Sequence, residues 1–131
     1  MNAATITSPH IVRQAGASDW PILEEKWGQR PEEGVNLLVE NEEGIIGHLL
    51  LKPCGCLAET AMFVHPDHRH QGIGRALIEA AIEEARSQRV SSLWTKVPIN
   101  DLATQKALRA MGFHSVWENE TYCQLVRRIQ C

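Results

Sequence analysis

The chain has 131 residues, enough for one domain with a hydrophobic core of its own. Its 44% hydrophobic and 22% charged residues are typical of a globular protein, and its net charge of -3 argues against binding to nucleic-acid phosphates, which needs a basic surface. No apolar run approaches the roughly 20 residues of a membrane-spanning helix, and residues 1–14 lack the basic and apolar regions of a signal peptide, so we expect a cytoplasmic protein with no membrane and no nucleic-acid partner.

The first predicted elements are a short strand at residues 10–15 and a helix after it. The helix begins at Ser18 or Asp19, because either side chain can cap its first turn. Trp20 and Trp27 lie seven residues apart and therefore share a helix face. They serve either as core or groove-lining aromatics or as a wall of a substrate pocket.

A β-hairpin and a further strand follow. Residues 35–40 and 45–52 form the hairpin around an Asn-Glu-Glu-Gly turn, and residues 57–64 form the next strand. Alternation along this last strand places Glu59 and Phe63 on one face.

The second half of the chain alternates helices with strands. From Ile73 the apolar residues follow helical spacing, and they are Leu77, Ile78, Ala81, Ile82 and Ala85. Residues 91–97 form a strand that ends at Pro98, residues 100–111 form a helix stopped by Gly112, and two strands near 114–118 and 121–129 complete the chain. The order β-α-β-β-β-α-β-α-β-β predicts an α/β (α+β) fold with a mostly antiparallel sheet and no repeats.

The cysteines and histidines do not predict a metal site. The four cysteines, which we expect to be reduced thiols, are Cys54, Cys56, Cys123 and Cys131. The Cys54-Gly55-Cys56 spacing is tighter than a zinc knuckle and has no second pair. The histidines that cluster after the fourth strand, His65, His68 and His70, do not share a helix face.

The segment Gln71-Gly72-Ile73-Gly74 is better suited to binding phosphate. It lies between a strand and a helix, where the first backbone N–H groups have no partner within the helix and the helix dipole is positive. Glycine permits close approach of a ligand to the backbone, and Arg69 adds a positive charge nearby. A purely structural turn is the alternative.

Two common phosphate motifs do not fit this segment. A dinucleotide-binding fingerprint needs a third glycine where Leu77 stands. A P-loop needs Lys and Ser or Thr after the second glycine, where this chain has Arg75 and Ala76.

The full stretch Val64-His65-Pro66-x-x-Arg69-x-x-Gly72-Ile73-Gly74-x-x-Leu77 resembles the acetyl-CoA signature of the GNAT superfamily of N-acetyltransferases, whose core is Arg/Gln-x-x-Gly-x-Gly/Ala. The resemblance extends over essentially the whole chain. It implies one acetyltransferase domain over residues 1–131, with the acyl-CoA N-acyltransferase fold: a mixed, mostly antiparallel sheet, splayed between strands 4 and 5 and flanked by helices.

The resemblance also implies the residues that bind acetyl-CoA, the co-substrate of this superfamily. The pantetheine arm would pair with the backbone of Met62, Phe63 and Val64. The pyrophosphate would rest on the segment that consists of Arg69, His70, Gln71, Gly72, Ile73, Gly74 and Arg75. Asn100, at the start of the next helix, would contact the same molecule.

The implied catalytic residues are Glu59 and Tyr122. Glu59 stands on the strand next to the co-substrate and would be the general base, with His65 and His48 as further candidates. Superfamily members often have a proton-donating tyrosine where this chain has Leu108. Either Tyr122, the only tyrosine, or solvent would supply that proton.

The function implied is direct transfer of an acetyl group from acetyl-CoA to a primary amine of a small molecule, peptide or protein. A non-catalytic acyl-CoA-binding domain of the same fold is one alternative, and a nucleotide-binding module of another fold is a second. A homodimer is a further expectation, because the final strand offers an edge for pairing unless Arg127 and Arg128 protect it.

Overall fold

The computed structural model describes residues 10–28, 30 and 34–129. The strands are β1 Arg13–Gln14, β2 Val35–Asn41, β3 Gly44–Cys54, β4 Leu57–Val64, β5 Ser92–Pro98, β6 His114–Glu118 and β7 Tyr122–Arg128. The helices are α1 Trp20–Trp27, α2 Ile73–Ser87 and α3 Leu102–Ala110. The predicted order of elements and the mixed, mostly antiparallel sheet are confirmed. None of the helices described is long and apolar enough to cross a membrane.

The chain forms two compact units. The first unit comprises the described part of Met1–Lys52 together with Met62–Ala81, and the second comprises Pro53–Ala61 with the described part of Ile82–Cys131. Cys131 lies outside the described residues, whereas Cys54, Cys56 and Cys123 are free thiols.

In the first unit, β1, β2 and β3 pair antiparallel, with β2 in the middle. The turn between β2 and β3 is closed by Asn41, whose Oδ1 accepts a hydrogen bond of 2.8 Å from the N–H of Glu43. The hairpin predicted from the Asn-Glu-Glu-Gly sequence is therefore confirmed.

The start of α1 differs from the prediction. Asp19 occupies the N-cap position, but neither it nor Ser18 caps the helix through its side chain. The carboxylate of Asp19 instead accepts hydrogen bonds from Arg13, at 2.7 Å and 2.9 Å, and from the N–H of Gly16 at 2.7 Å. The buried Asp19 thus joins β1 to the start of α1.

One face of α2 is buried along its length, as predicted from the helical spacing. All five residues of the predicted row are buried, and they are Leu77, Ile78, Ala81, Ile82 and Ala85. In the first unit the helix crosses β3 at Gly47, which lies against Ile73 and Leu77. Because Gly47 has no side chain, the helix can approach the strand closely.

In the second unit, β4 pairs with β5 in parallel, and β5 and β6 both pair antiparallel with β7. The β4–β5 register covers only Leu57 to Glu59, opposite Ser92 to Trp94. At the next residue the hydroxyl of Thr60 donates to the carbonyl of Trp94 at 3.2 Å. The expected opening of the sheet between strands 4 and 5 begins here.

The expectation that the final strand offers an edge is wrong. Strand β7 pairs with β5 on one side and with β6 on the other, so its backbone groups are already used. The reason is that the last hairpin folds β6 to the outside, which the linear order of the strands does not reveal.

The end of α3 matches the glycine stop expected from the sequence. Gly112 has φ +93°, a backbone conformation that favours glycine, and the N–H of Phe113 donates to the carbonyl of Leu108 at 3.1 Å. Phe113 is buried.

Candidate active site

The segment after β4 is held to the strands of the first unit at its start. The N–H of His65 donates to the carbonyl of Ile46 on β3 at 2.8 Å, and Pro66–His68 form one 3-10 turn. The guanidinium Nε of Arg69 donates to the carbonyl of Val64 at 3.2 Å. Arg69 is thus folded back onto the end of β4, while the chain continues toward α2.

The backbone between Arg69 and α2 presents a group of N–H donors. His70 and Gly72 have φ +64° and +83°, and alternation of such residues with ordinary ones turns successive amides toward one side. Within the described part of the chain, no acceptor takes the backbone N–H groups of residues 70–75. Their position at the N-terminus of the 15-residue α2 adds the positive end of the helix dipole.

The carbonyl of Gln71 has a partner of its own. It accepts a hydrogen bond of 2.7 Å from Nε2 of His10, which must be the donor because a carbonyl oxygen only accepts. This hydrogen bond occupies the carbonyl oxygen of Gln71. An anion that approaches the segment therefore meets backbone N–H donors rather than this oxygen.

The end of β4 meets the start of α2 at one contact. A Cβ added to Gly74 would lie 3.4 Å from Cε of Met62, which is ordinary contact distance. Met62, Phe63 and Val64 are each half-buried. The structure therefore brings these three predicted residues together with the predicted phosphate-binding segment.

A cluster of aromatic and polar side chains on the first unit was not predicted as a group. Trp27 stacks on His48, with ring centroids 5.3 Å apart, and its ring lies 5.2 Å from that of Phe63. His48 is buried and its Nε2 lies 2.7 Å from Oδ1 of Asn36. Burial without a charged partner lowers the pKa of His48 to about 4, so the imidazole is neutral at pH 7. The sequence signal is that Asn36 and His48 each interrupt an apolar strand.

The predicted catalytic pair is on the second unit. Opposing positions along β4, β5 and β7 place Glu59, Trp94, Lys96 and Tyr122 on one face of its sheet. Lys96 holds its ammonium 4.6 Å from the centre of the Tyr122 ring. Glu59 lies opposite Trp94 and Tyr122 opposite Pro98, a separation of roughly 16 Å between Cα atoms from ideal strand spacings. The structure thus does not bring the two side chains next to each other.

Leu108 and Asn100 lie in or next to α3. Leu108 is buried, and its carbonyl accepts hydrogen bonds from both Met111 and Phe113. Asn100 is exposed and precedes Asp101, which is the residue that caps α3 through the N–H of Thr104. Asn100 is thus presented to solvent at the helix start.

The histidines after β4 contact one another without forming a metal cluster. The rings of His65 and His68 lie 5.6 Å apart, and Nε2 of His68 is 3.6 Å from the carboxylate of Glu43. No three His, Cys, Asp or Glu side chains among the described residues are placed to hold a metal ion.

Residues 7–113 match the model of the acetyltransferase (GNAT) family. The chain belongs to the GNAT family of acetyltransferases, a family that uses acetyl-CoA.

Individual relatives are similar over part of the chain. The ribosomal protein bS18-alanine N-acetyltransferase of Escherichia coli K12 is 33% identical over 69 residues, which are 50% of this chain and 47% of that protein. The mycothiol acetyltransferase of Stackebrandtia nassauensis is 35% identical over 68 residues, 50% of this chain and 22% of that protein. The chain thus spans 47% of the length of the first relative and 22% of the length of the second.

Solved structures share the fold. The ribosomal-protein-S18-alanine N-acetyltransferase from Escherichia coli superimposes with a TM-score of 0.78 at 19% identity, covering 93% of this chain and 95% of that one. A GNAT family acetyltransferase from Elizabethkingia anophelis, with acetyl-CoA bound, gives a TM-score of 0.74 at 17% identity and covers 92% and 98%.

Proposed function

We propose that the protein is an acetyl-CoA-dependent N-acetyltransferase that moves an acetyl group directly to a primary amine. The observation that supports this most is the row of backbone N–H groups at residues 70–75, which have no acceptor in the described part of the chain and which lie at the N-terminus of α2. An anionic pyrophosphate is the ligand that such donors favour.

Different residues of the donor site would bind different parts of acetyl-CoA. The amides from His70 to Arg75 bind the pyrophosphate, and Arg69, whose guanidinium is held at the end of β4 by the carbonyl of Val64, adds a positive charge to the site. The backbone of Met62, Phe63 and Val64 pairs with the pantetheine arm, and the exposed Asn100 contacts the same molecule. Acetyl-CoA, when bound, supplies an activated acetyl thioester.

The acceptor must lose a proton before it can attack. An alkylammonium has a pKa of about 10.4, so a nearby base raises the share of the reactive neutral amine. Glu59 is the base that we propose, because it is a half-buried carboxylate on β4, the strand that also carries Met62 to Val64. Attack is direct, so no residue of the chain is acylated.

The departing thiolate takes up a proton. The buried Leu108 has no proton to give, and we propose Tyr122 as the donor, since 37% of this residue is exposed. A thiol has a pKa of about 8.5, so this step is helped by an acid without depending on one.

For the acceptor, we infer a primary amine, and the first candidate is the α-amine of an N-terminal alanine. This inference rests on the relative named as acting on an alanine of ribosomal protein bS18.

A direct experiment measures acetyl transfer and CoA binding in parallel. The purified chain is incubated with acetyl-CoA and a panel of amines that includes L-alaninamide, an alanine-initiated peptide and Nα-acetyl-lysinamide. Products are detected by mass, because the exposed thiols of Cys54 and Cys56 would react with thiol-detecting dyes. Acetylated amine from the wild-type chain is the expected result. No product from any amine, with CoA binding intact, would support instead a non-catalytic acyl-CoA-binding domain, the alternative that the missing tyrosine at Leu108 favours.

A substitution in the segment checks the donor site. Gly74→Trp places a bulky side chain at the start of α2 and should abolish CoA binding measured by calorimetry. Unchanged affinity in this variant would contradict the donor site proposed here.

A further inference from the structure

We propose that His48 binds the acceptor amine: its Nδ1 accepts a hydrogen bond from one N–H of the amine, beside the aromatic ring of Trp27. This inference rests on the proposed function and extends it to the acceptor side of the same site.

The orientation of Asn36 fixes the tautomer of His48. Nδ2 of Asn36 donates to the carbonyl of Gly34 at 3.3 Å, so the other amide atom, Oδ1, faces His48. Oδ1 only accepts hydrogen bonds, and Nε2 of His48 lies 2.7 Å from it. Nε2 therefore carries the proton.

The second ring nitrogen is left with a lone pair. The imidazole is neutral, since burial disfavours its charged form, so Nδ1 is unprotonated. Nδ1 has no hydrogen bond to the described residues, yet none of their fully buried side-chain nitrogen or oxygen atoms lacks a partner. Nδ1 therefore keeps some exposed surface, although only 4% of the residue is exposed. A ligand that donates a hydrogen bond would satisfy this lone pair.

Neighbouring side chains fix the direction in which Nδ1 of His48 points. The Trp27 ring stacks on the imidazole with an angle of 22° between the ring planes, and the bond to Asn36 prevents the ring from turning over. Phe63, on the strand end that we assign to the pantetheine arm, has its ring centre 5.2 Å from that of Trp27. An amine hydrogen-bonded to Nδ1 would thus lie close to the donor strand.

This arrangement gives His48 a binding role rather than a basic one. An imidazole whose pKa is lowered to about 4 takes a proton poorly from an alkylammonium. A primary amine has two N–H groups in its neutral form, so one can donate to His48 while the lone pair attacks. The substrate class that fits is therefore a primary amine on an apolar carbon. That carbon would lie next to the rings of Trp27 and Phe63.

The test uses His48→Gln. Glutamine can place an N–H near the position of Nε2 and keep the buried bond to Asn36, but it has no acceptor at the position of Nδ1. We expect the KM for L-alaninamide to rise at least tenfold, with the KM for acetyl-CoA, the CoA affinity and the Tm close to wild type. A parallel loss of donor and acceptor affinity would show a packing role and overturn the proposal, as would an unchanged KM for the amine.

A second measurement does not depend on turnover. In the chain labelled with ¹⁵N-histidine, the His48 resonances are assigned by their disappearance in His48→Gln. Addition of L-alaninamide in the presence of CoA should move the Nδ1 resonance and leave that of Nε2 nearly in place. A wild-type chain that acetylates no amine contradicts the proposed function, whereas an Nδ1 resonance unmoved by every amine of the panel contradicts the role of His48.

Discussion

Gly47 on β3 lies directly against Ile73, the first residue of α2. A methyl group at Gly47 would come within 2.6 Å of Cγ2 of Ile73 and 3.2 Å of Cδ1 of Leu77. The missing side chain of Gly47 thus sets how closely the start of α2, and the N–H groups presented there, can approach the strands of the first unit.

Gly47→Ala should lower the free energy of unfolding by about 1–3 kcal/mol, because the helix must move to make room for the methyl group. The CoA affinity should fall as well, because the N-terminus of α2 moves with it. Gly16→Ala is the matched control: its added Cβ would lie 3.8 Å from its nearest neighbour, Asp19, and its φ of -107° suits alanine. Urea unfolding and calorimetry measure both effects, and equal stability of the two variants would contradict the close contact.

Substitution by alanine should change the free energy of unfolding in opposite directions at Gly72 and at Gly74. Gly72→Ala forces an alanine into φ +83° and should cost about 1–2 kcal/mol, although its Cβ would have open space. Gly74→Ala lies in the first turn of α2, with its Cβ 3.4 Å from Met62, and should stabilise the chain by about 0.5 kcal/mol or less. Both should weaken CoA binding in calorimetry, since each alters the backbone that binds the pyrophosphate. Wild-type affinity in both variants would argue against this segment as the donor site.

Asp19→Asn should destabilise the first unit by about 2 kcal/mol, because it removes the charge that binds Arg13 within a buried group. The two hydrogen bonds from Arg13 lower the pKa of Asp19 to about 2 from its usual 3.8. A lowered carboxylate pKa stabilises the fold above pH 4 or so, and this contribution is lost as the pH falls from about 4 to 2. Unfolding curves across that range should therefore converge for wild type and variant.

Glu40→Gln is the control for this prediction. Glu40 also binds Arg13, at 2.8 Å, but its side chain is 47% exposed, so its loss should cost about 0.5 kcal/mol or less. Equal losses in the two variants would contradict a central role of Asp19.

Glu59→Gln should reduce kcat about a hundredfold or more, the usual contribution of a general base, and leave the CoA affinity unchanged. The amide keeps the size of the side chain, so the pairing of β4 with β5 should persist. An unaltered kcat in steady-state assays would remove Glu59 as the base.

Tyr122→Phe should lower kcat, because it removes the hydroxyl group that we propose as the proton donor. The aromatic ring that Lys96 contacts is kept. Because the leaving thiolate can also take its proton from solvent near neutral pH, we expect a loss of about tenfold rather than more. A kcat equal to that of the wild type would assign the proton to solvent.

The fold was predictable from the sequence because local signals agreed along the chain. The glycine stop at Gly112, the apolar row on α2 and the Asn41 turn each act over a few residues, and each is found as predicted. The position of β7 between β5 and β6 depends on pairings far apart in sequence. The sequence alone did not predict it.

The segment that we propose for the pyrophosphate could be proposed from the sequence because its glycines and Arg69 lie close together along the chain. The cluster of Asn36, His48, Trp27 and Phe63 was not, because its members come from four separate elements. Only the register of β2 with β3, which puts Leu38 opposite His48, brings Asn36 within reach of that histidine.

The bond from Thr60 to the carbonyl of Trp94 places a side-chain contact where the backbone pairing of β4 with β5 ends. A backbone ladder continues whatever residue is present, since nearly every residue has an N–H. Here, the place where two strands stop pairing is held by a hydroxyl group, which only a few residue types provide. A substitution at Thr60 would therefore remove this hydrogen bond and leave the backbone pairing of Leu57 to Glu59 in place.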